Sequence, residues 1–439
     1  MSKLRPRLPA ALTLSAFLFL PQPAFAAVDP ETGFVFNTLI FYLGGILVMW
    51  MAAGFTMLET GLVRSKNSAM MCLNNVGLFS VTGLMFWICG YDMIYGIEKG
   101  GFIHIPEFFW TASDPTEFGE PGKFAAASDW FFQMAFVAAT ASIICGTVAE
   151  RIKFWSFMVF VAVMTGVLYP ITASWGWGGG WLAELGFSDF AGSSYVHSFG
   201  GWAALTGAII LGARKGKYLP DGRINPMPGS NLPLATLGTF ILWMGWFGFN
   251  GASQLALGSG PDAIAIATIV MNSNMAAVSG AIVTMVVMQV LYKKIDLTMV
   301  LNGALAGLVA ITAEPLEATV PEAIVIGAVG AVIVIYLVPL LDRLKIDDVV
   351  GAIPVHLGAG LWGTLCVAYT KDNATLVGQL TGMVSIAIFT LVASALVWLA
   401  IKHTIGLRVT EEEEFNGLDR SFLGVESYPE FGQGSQRFG

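Results

Sequence analysis

The sequence predicts an all-α polytopic membrane protein with eleven transmembrane helices, arranged as two inverted five-helix halves plus a final helix. Of the 439 residues, 55% are hydrophobic and only 12% are charged, and long apolar runs recur along the chain. Soluble domains carry about 25% charged residues. The 51 glycines suit the close helix packing that small residues allow in lipid.

The N-terminus has the pattern of a cleaved secretory signal peptide. Lys3, Arg5 and Arg7 precede an apolar run at 11–20, and Ala24-Phe25-Ala26 provides a small-residue cleavage site. We therefore expect a periplasmic N-terminus and a location in the inner membrane of a bacterium with two membranes.

The remaining chain divides into a membrane domain at 27–404 and a cytoplasmic C-terminal tail at 405–439, behind the signal peptide at 1–26. A helix that crosses a bilayer needs about 20 mostly apolar residues. This rule predicts eleven spans, at 34–59, 68–96, 125–148, 154–175, 194–212, 233–255, 263–290, 298–313, 321–341, 349–369 and 378–401.

Basic residues support this topology. With the N-terminus outside, fourteen Lys and Arg residues fall in the cytoplasmic loops or just after the last span, and three, Lys99, Lys123 and Lys371, fall outside. This asymmetry follows the positive-inside rule. Eleven spans put the C-terminus in the cytoplasm. Because five is odd, two five-helix halves have opposite orientations, as in the inverted repeats of transporters.

Two histidines lie inside apolar spans, where an ionisable side chain is expensive and often functional. His197 follows Asp189 by eight residues on the fifth span, and His356 follows Asp348 by eight on the tenth. At 1.5 Å per residue, each lies roughly 12 Å from its own membrane face. In a core of about 30 Å, the two reach within roughly 6 Å of one depth.

The pair permits two interpretations. The imidazoles share a proton, one donating to the other, or each is satisfied separately by a backbone carbonyl. The spans contain no Lys or Arg and no chain of carboxylates for a proton pump. Such an apolar path favours a small solute that can be neutral, and ammonia fits because one proton separates it from ammonium.

Aromatic residues gather at the outer ends of two spans and permit two interpretations. They form an interfacial aromatic belt, or a vestibule whose ring faces attract a cation while a hydroxyl accepts its hydrogen bond. The set on the third span consists of Trp130, Phe131, Phe132 and Phe136, with the polar Gln133 among them. The set on the sixth span consists of Trp243, Trp246, Phe247 and Phe249, with the hydroxyl of Ser253, and Trp177 is nearby.

Other classes of site find little support in the sequence. It contains no nucleophile–base arrangement, phosphate-binding loop or metal-ligand spacing, so we expect no enzyme, cofactor or metal. Cys72, Cys89, Cys145 and Cys366 all lie in apolar runs and are interpreted as small core residues.

Long motifs make the chain resemble the ammonium transporter, methylammonium permease and Rhesus family. They are GFTMLETGLVRSKN (54–67), FQMAF (132–136), GTVAERIKF (146–154), WGGG…DFAGSSYVH (177–197), GWFGFNGAS (245–253), NGALAGLVAITA (302–313), VHLGAGLWGTL (355–365) and GLRVTEEEE…GLD (406–419). The resemblance implies a homotrimer of eleven-helix protomers, each with its own narrow apolar pore.

The resemblance also implies roles at the outer mouth. Trp177, Phe136 and Ser253 correspond to the cation-recruitment site, and Phe136 with Phe249 corresponds to the stacked phenyl gate below it. Ammonium is the implied substrate, with methylammonium as an analogue.

Deeper in the pore, His197 and His356 correspond to the family's twin histidines. Asp189 corresponds to a motif acid near the outer mouth, and both a helix N-cap and electrostatic support of a cation stay open for it. Trp246 packs against the histidines or belongs to the core.

Two positions depart from the family pattern. Asn250-Gly251-Ala252-Ser253 stands where the family usually has Asn-Ala-Gly-Ser, with the serine kept. Gly351 stands where the family usually has an acid five residues before the second histidine, which leaves the electrostatics of the inner mouth open.

The tail is either a solvated acidic segment or, as the resemblance implies, a segment that packs on a neighbouring protomer. The resemblance further implies that PII-type signalling proteins plug the inner pores. The last dozen residues are expected to be disordered, and no nucleic acid is expected as a partner.

Three functions stay open. The first is an ammonium transporter that recruits and deprotonates NH₄⁺ and carries NH₃ past the histidines. The second is a sensor or transceptor with little flux, and the third is a Rhesus-like channel for neutral gases. Electrogenic and electroneutral transport are not distinguished by the sequence.

Overall fold

The computed structural model describes residues 28–114 and 122–431. In these ranges the chain is helical, and its β-structure consists of two isolated bridges, Ile152 with Arg408 and Tyr218 with Ile224. The expected signal peptide and the last residues of the tail lie outside the described residues.

Eleven long helical segments lie in these ranges, with a short helix at Trp181–Glu184 between the fourth and the fifth, and we label the long ones α1 to α11. They are α1 Pro30–Leu62, α2 Ser65–Tyr95, α3 Ala126–Val148, α4 Phe154–Ser174, α5 193–211, α6 Leu232–Gln254, α7 Gly260–Tyr292, α8 Leu297–Ile311, α9 Val320–Arg343, α10 353–370 and α11 Leu376–Thr404.

Eight of these helices are long and apolar enough to cross a membrane. The exceptions are α5, α8 and α10, of which α8 is a shorter apolar helix of 15 residues. A polytopic all-α membrane fold is therefore the finding, and the count of eleven spans stays a prediction.

The side chains on the outside of the bundle are strongly apolar. On α11, the exposed fractions of Val377, Ile388 and Leu396 are 74%, 60% and 63%. A soluble monomer rarely exposes large contiguous apolar patches, whereas a lipid-facing helix does so along its length.

Glycines bring α1 and α6 into close contact. A Cβ on Gly238 of α6 would lie 2.3 Å from the Leu58 backbone nitrogen and 2.6 Å from the Gly54 carbonyl oxygen. Any larger residue would force these two helices apart. This approach positions the wall that α1 and α6 contribute to the central pathway.

The helices α5 and α10 share an unusual start. Each opens with a wide π-type turn, at Ser193–Ser198 and at Ile353–Gly358, before it continues as a regular helix. Such turns are rare and often mark functional sites. His197 lies in the first turn and His356 in the second.

The tail packs against its own chain. Helix α12, Glu411–Asn416, is followed by a π-type turn at Asp419–Leu423. The Asp419 carboxylate accepts hydrogen bonds from the backbone N–H groups of Ala69 at 3.0 Å and Met70 at 2.8 Å. The described part of the tail is thus anchored to the first turn of α2.

Candidate functional site

A cavity of about 300 Å³ opens at the end of the bundle that the topology predicts to be outside. We call it the outer cavity. Trp177, Phe136 and Ser253 all line it, so the three residues expected at a recruitment site lie around one space. Its other walls are largely aromatic and consist of Phe41, Tyr91, Tyr95, Phe124, Phe132 and Phe190, with Asp129 and Gln133.

Neighbours hold Trp177 and Ser253 in place. The Trp177 indole N–H donates to the backbone oxygen of Asp189 at 2.9 Å, and the ring meets Phe136 edge-on, with centroids 6.3 Å apart. The Ser253 hydroxyl donates to the Phe249 carbonyl at 2.8 Å. Because its proton is used there, the Ser253 oxygen offers lone pairs to a donor in the cavity.

Phe136, which lines the outer cavity, stacks on the phenyl ring of Phe249. The rings of Phe136 and Phe249 lie 3.9 Å apart with an interplanar angle of 22°. Both side chains are almost fully buried. A solute that travels from the outer cavity towards His197, whose ring is 5.4 Å from Phe249, must displace this pair.

Below the phenyl pair, His197 and His356 face each other. Their Nδ1 atoms are 3.2 Å apart. Two neutral imidazoles can make this contact only if one Nδ1 carries a proton and the other accepts it. The two Nε2 atoms then differ, because one is a bare acceptor and the other carries a proton.

Trp246 and Phe55 enclose the histidine pair. The Trp246 ring stacks near His197, with centroids 5.2 Å apart, and its N–H donates to Thr312 Oγ1 at 2.8 Å. Phe55 lies 6.3 Å from His356 on the other side. Since the nearest walls are rings, the Nε2 atom of His197 has no hydrogen-bond partner among the described residues.

The Asp189 carboxylate caps the turn that carries His197. It accepts four backbone N–H bonds of 2.8–3.1 Å, from Gly192, Ser193, Ser194 and Tyr195. This geometry is that of a cap, and Asp189 is buried, with its backbone oxygen accepting the Trp177 indole N–H. Asp189 thereby orients both the π-type turn and the indole.

Asp348 has the equivalent position before His356. Its carboxylate accepts from the Ile353 N–H at 2.7 Å and from the Thr147 hydroxyl at 3.0 Å. Gly351 has φ +80°, and a Cβ there would lie 2.5 Å from the Asn302 amide nitrogen. This geometry disfavours a side chain at 351, and Asp348 ties α10 to α3.

Sequence reasoning missed an acid at the outer cavity. Asp129 is 6% exposed, and its carboxylate accepts from the Tyr91 hydroxyl at 2.6 Å and the Gln133 amide at 3.2 Å. It precedes the aromatic run at 130–132 by one residue, and helical spacing puts it on the same face as Phe132 and Gln133. That spacing was the available signal.

On the opposite side, a second cavity of about 300 Å³ opens among the loops that the topology predicts to be cytoplasmic. We call it the inner vestibule. It is lined by the acids Asp296, Asp342 and Asp348 and by the basic residues Arg214 and Lys217.

A buried ion network joins the loops on this side. Arg214 donates to both oxygens of Asp347, at 2.8 and 2.9 Å, and to Glu150 at 3.1 Å. Although burial opposes the charge, these acids raise the pKa of Arg214, and Arg214 holds the pKa of Asp347 well below its usual range. Burial lowers the pKa of Arg151 to about 10.

Arg151 supports the same loops through carbonyls. Its guanidinium donates to the backbone oxygens of Thr147, Ala149, Gly212 and Asp347, at 2.7–3.0 Å. Among the described residues, no cluster of three or more His, Cys, Asp or Glu side chains is arranged to hold a metal ion.

Comparison with known proteins gives a single family. The sequence profile of the Ammonium Transporter Family matches residues 39–428. An ammonium transporter, Amt2 of Archaeoglobus fulgidus, is 38% identical over 418 residues, covering 88% of this chain and 87% of the relative. A putative ammonium transporter of Synechocystis is 37% identical over 396 residues, with 89% and 88% covered.

Solved structures agree in fold. A protein described as a sensor Amt protein superposes with a TM-score of 0.83 at 37% identity, over 88% of this chain and 98% of that one. Mep2 of Candida albicans superposes with a TM-score of 0.78 at 26% identity, over 88% and 89% of the two chains.

Proposed function

The chain belongs to the Ammonium Transporter Family, and from this we propose that it moves ammonium across the inner membrane through the pathway lined by His197 and His356. The contact that carries the proposal is the 3.2 Å approach of the two Nδ1 atoms beneath a closed phenyl pair.

In this mechanism the outer cavity binds the cation. Ring faces of Trp177 and Phe136 attract a cation through their quadrupoles, and the Ser253 oxygen accepts one of its N–H bonds. Asp189 acts indirectly, because its carboxylate holds the turn next to Trp177. Methylammonium, which keeps three N–H donors, fits the same contacts.

The proton leaves ammonium before the phenyl pair and passes to bulk water at the outer mouth. A bare cation gains little from the apolar rings below, since burial of an unpaired charge is costly. Ammonia then passes Phe249 and meets the histidines, whose free Nε2 positions offer one donor and one acceptor. The proton stays outside or crosses separately through the histidine pair.

The test is charge movement in purified proteoliposomes after an ammonium jump, with the wild type beside the His197→Ala/His356→Ala double variant. A sustained wild-type current that the variant loses supports electrogenic transport with the pair in the path. Internal alkalinisation without current supports ammonia conduction. Ammonium flux that is intact in the double variant contradicts the role of the pair.

A sensor is the second candidate, and the 0.83 TM-score with a protein described as a sensor Amt protein favours it. It predicts ammonium binding with neither current nor alkalinisation. A Rhesus-like channel for neutral gases is less well supported, because a neutral solute needs no cation site at Trp177. The ammonium-jump experiment on proteoliposomes distinguishes the transporter from the sensor.

The proposal includes a homotrimer with periplasmic N-termini and cytoplasmic C-termini, each protomer with its own pore. It also includes a PII-type signalling protein at the inner vestibule. The charged lining of that vestibule supports such a contact. Mass measurement of the detergent-solubilised protein, alone and with a PII protein, tests both.

A further inference from the structure

Glu59 is an acid that the pathway described so far does not use. It belongs to the motif GFTMLETGLVRSKN and lies near the end of α1, with an exposed fraction of 1%. Its Oε2 atom accepts from the Asn75 amide at 2.7 Å. Its Oε1 atom is buried against Cys145 and Gly146 of α3 and makes no hydrogen bond of normal geometry to the described residues.

Glu59 also lacks a counter-ion. No ion pair in the described part of the chain includes it, although Glu150, on the same side of the protein, binds both Arg64 and Arg214. A buried carboxylate without a cation carries a large desolvation cost. The structure therefore holds an acceptor for which the protein supplies no cation.

A small cavity separates Glu59 from His356. Its volume is about 20 Å³, and Glu59, His356, Phe55, Ser142 and Asn302 are among its lining residues. We call it the Glu59 cavity. A water molecule needs roughly 10–15 Å³ measured in this way, so the cavity has room for one molecule of that size. Ammonia and ammonium are of that size.

The polar lining of the cavity consists largely of acceptors. The Ser142 hydroxyl donates to the Ala138 carbonyl at 3.2 Å, and the Asn302 amide donates to the Val350 carbonyl at 3.2 Å. The lone pairs on their oxygens stay available, together with Glu59 Oε1. A ligand that matches this set carries several N–H donors and a positive charge.

The cavity lies between the histidines and the inner vestibule. His356 lines it at one end, and Asn302 and Val350 line both this cavity and the vestibule. A solute that leaves His356 towards the inner side, or enters from that side, passes Glu59.

We propose that the Glu59 cavity is an inner binding site for one ammonium ion, with Glu59 as its charge partner. The inference rests on the proposed function, because it takes ammonium as the solute. It assigns to the inner side a cation site separate from the outer cavity, with an anionic ligand in place of aromatic faces. The site sets the affinity for ammonium presented from the inner face.

The experiment compares the two faces of the membrane. Ammonium transport is measured in right-side-out and inside-out vesicles for the wild type, Glu59→Gln and Trp177→Leu. Glu59→Gln keeps the shape and removes the charge. We expect its half-saturating concentration to rise roughly tenfold or more from the inner face, because charge-assisted hydrogen bonds are lost, and to stay unchanged from the outer face. For Trp177→Leu we expect the reverse: the half-saturating concentration rises from the outer face and stays unchanged from the inner face.

Two further variants guard against a folding defect. Thr390→Val is an isosteric control, because the Thr390 hydroxyl is also buried without a partner but lines none of the three cavities named here. Glu59→Asp keeps the charge on a shorter side chain, and we expect a smaller, still one-sided, rise. If Glu59→Gln does not fold, the half-saturating concentrations of Glu59→Asp from the two faces test the proposal.

The remaining outcomes overturn the proposal. An equal rise from both faces assigns Glu59 a role in packing alone, and no change from the inner face shows that no ligand uses its charge. A wild type without transport from either face rejects the proposed function itself, together with the site. If only the inference about Glu59 is wrong, the wild type still transports ammonium from both faces.

Discussion

The Nδ1 atoms of His197 and His356 lie 3.2 Å apart, although 159 positions separate the two residues in the chain. Each histidine lies in a π-type turn that follows a capping aspartate, Asp189 or Asp348. The contact therefore depends on two separate caps as well as on the two rings.

Replacement of His356 by alanine is expected to reduce ammonium flux at least tenfold. It removes the partner of the His197 Nδ1 atom and leaves a buried polar nitrogen unpaired, which costs about 1–3 kcal/mol. Methylammonium uptake into proteoliposomes measures the effect. His403→Ala is the control, because His403 is exposed at the end of α11. Equal uptake by both variants contradicts the prediction.

Replacement of Phe249 by leucine is expected to lower the selectivity for ammonium over potassium. The stacked phenyl pair, worth about 0.5–1.5 kcal/mol beyond its buried area, is lost, and the smaller side chain leaves a gap above His197. Potassium-driven current in proteoliposomes is the measurement. Phe240→Leu is the control, since Phe240 is on the same helix and 61% exposed. An unchanged potassium current in Phe249→Leu rejects a gating role.

Replacement of Asp129 by asparagine is expected to raise the half-saturating concentration of ammonium at the outer face about tenfold, with the maximal rate retained. The carboxylate lines the outer cavity beside the aromatic residues, and its charge adds to the attraction for a cation. Current against ammonium concentration gives both quantities. Glu98→Gln, at an exposed carboxyl outside the cavity, should match the wild type. A change in maximal rate alone would assign Asp129 a different role.

Replacement of Arg214 by methionine is expected to destabilise the protein by about 3–5 kcal/mol, because Asp347 is left as a buried charge without its ion-pair partner and Glu150 keeps only Arg64. The melting midpoint in detergent is the measurement. Arg223→Met removes an exposed pair with Asp221 and should change stability by less than about 1 kcal/mol. Similar shifts in both variants would contradict this difference.

The same network has a predictable pH dependence. The pKa of Asp347 is lowered in the folded state, so its contribution to stability is fully present above the unfolded value of about 3.9. It is lost only as the pH falls further, through the lowered folded pKa. In the wild type this contribution should thus be constant from neutral pH down to about pH 5. In Arg214→Met the buried Asp347 carboxyl lacks the cation that lowers its pKa, so the difference in melting midpoint between the two proteins should shrink as the pH falls.

Replacement of Asp419 by alanine is expected to release the tail and to cost about 1 kcal/mol, the usual effect of a lost helix cap. The Met70 N–H loses its partner, and the Ala69 N–H loses one of its two acceptors and keeps Ser427 Oγ at 2.8 Å. Limited proteolysis should cut the tail faster than in the wild type. Glu426→Gln, which alters only a pair with the 64% exposed Arg420 side chain, is the control. Equal cleavage rates would show that other contacts hold the tail.

Much of the fold could be predicted because lipid imposes simple rules on length and charge. The apolar runs at 125–148 and 154–175 agree with α3 and α4 to within a residue or two. The tenth span was expected from 349, whereas α10 begins at 353, because the positive φ of Gly351 interrupts the helix. A hydropathy pattern contains no information about one backbone angle.

The site could be predicted only in part. Equal eight-residue spacings from Asp189 and Asp348 indicated a similar depth for the two histidines, and they lie in direct contact. That estimate assumed regular α-helices, and it did not foresee the two π-type turns. Glu59 escaped notice because its importance depends on what surrounds it. A carboxyl near the end of α1 looks solvated in the sequence, whereas the structure buries it without a counter-ion.

The cap on α2 has a consequence for biosynthesis. Met70 emerges from the ribosome long before Asp419, its hydrogen-bond partner 349 positions later. At 5–20 residues per second, the first turn of α2 waits roughly 20–70 s for this carboxylate. The inner end of α2 therefore reaches its final state only when the tail has been made. In a chain that stops before 419, the Met70 N–H at the start of α2 lacks this acceptor. The hydrogen bond therefore distinguishes a finished polypeptide from an interrupted one.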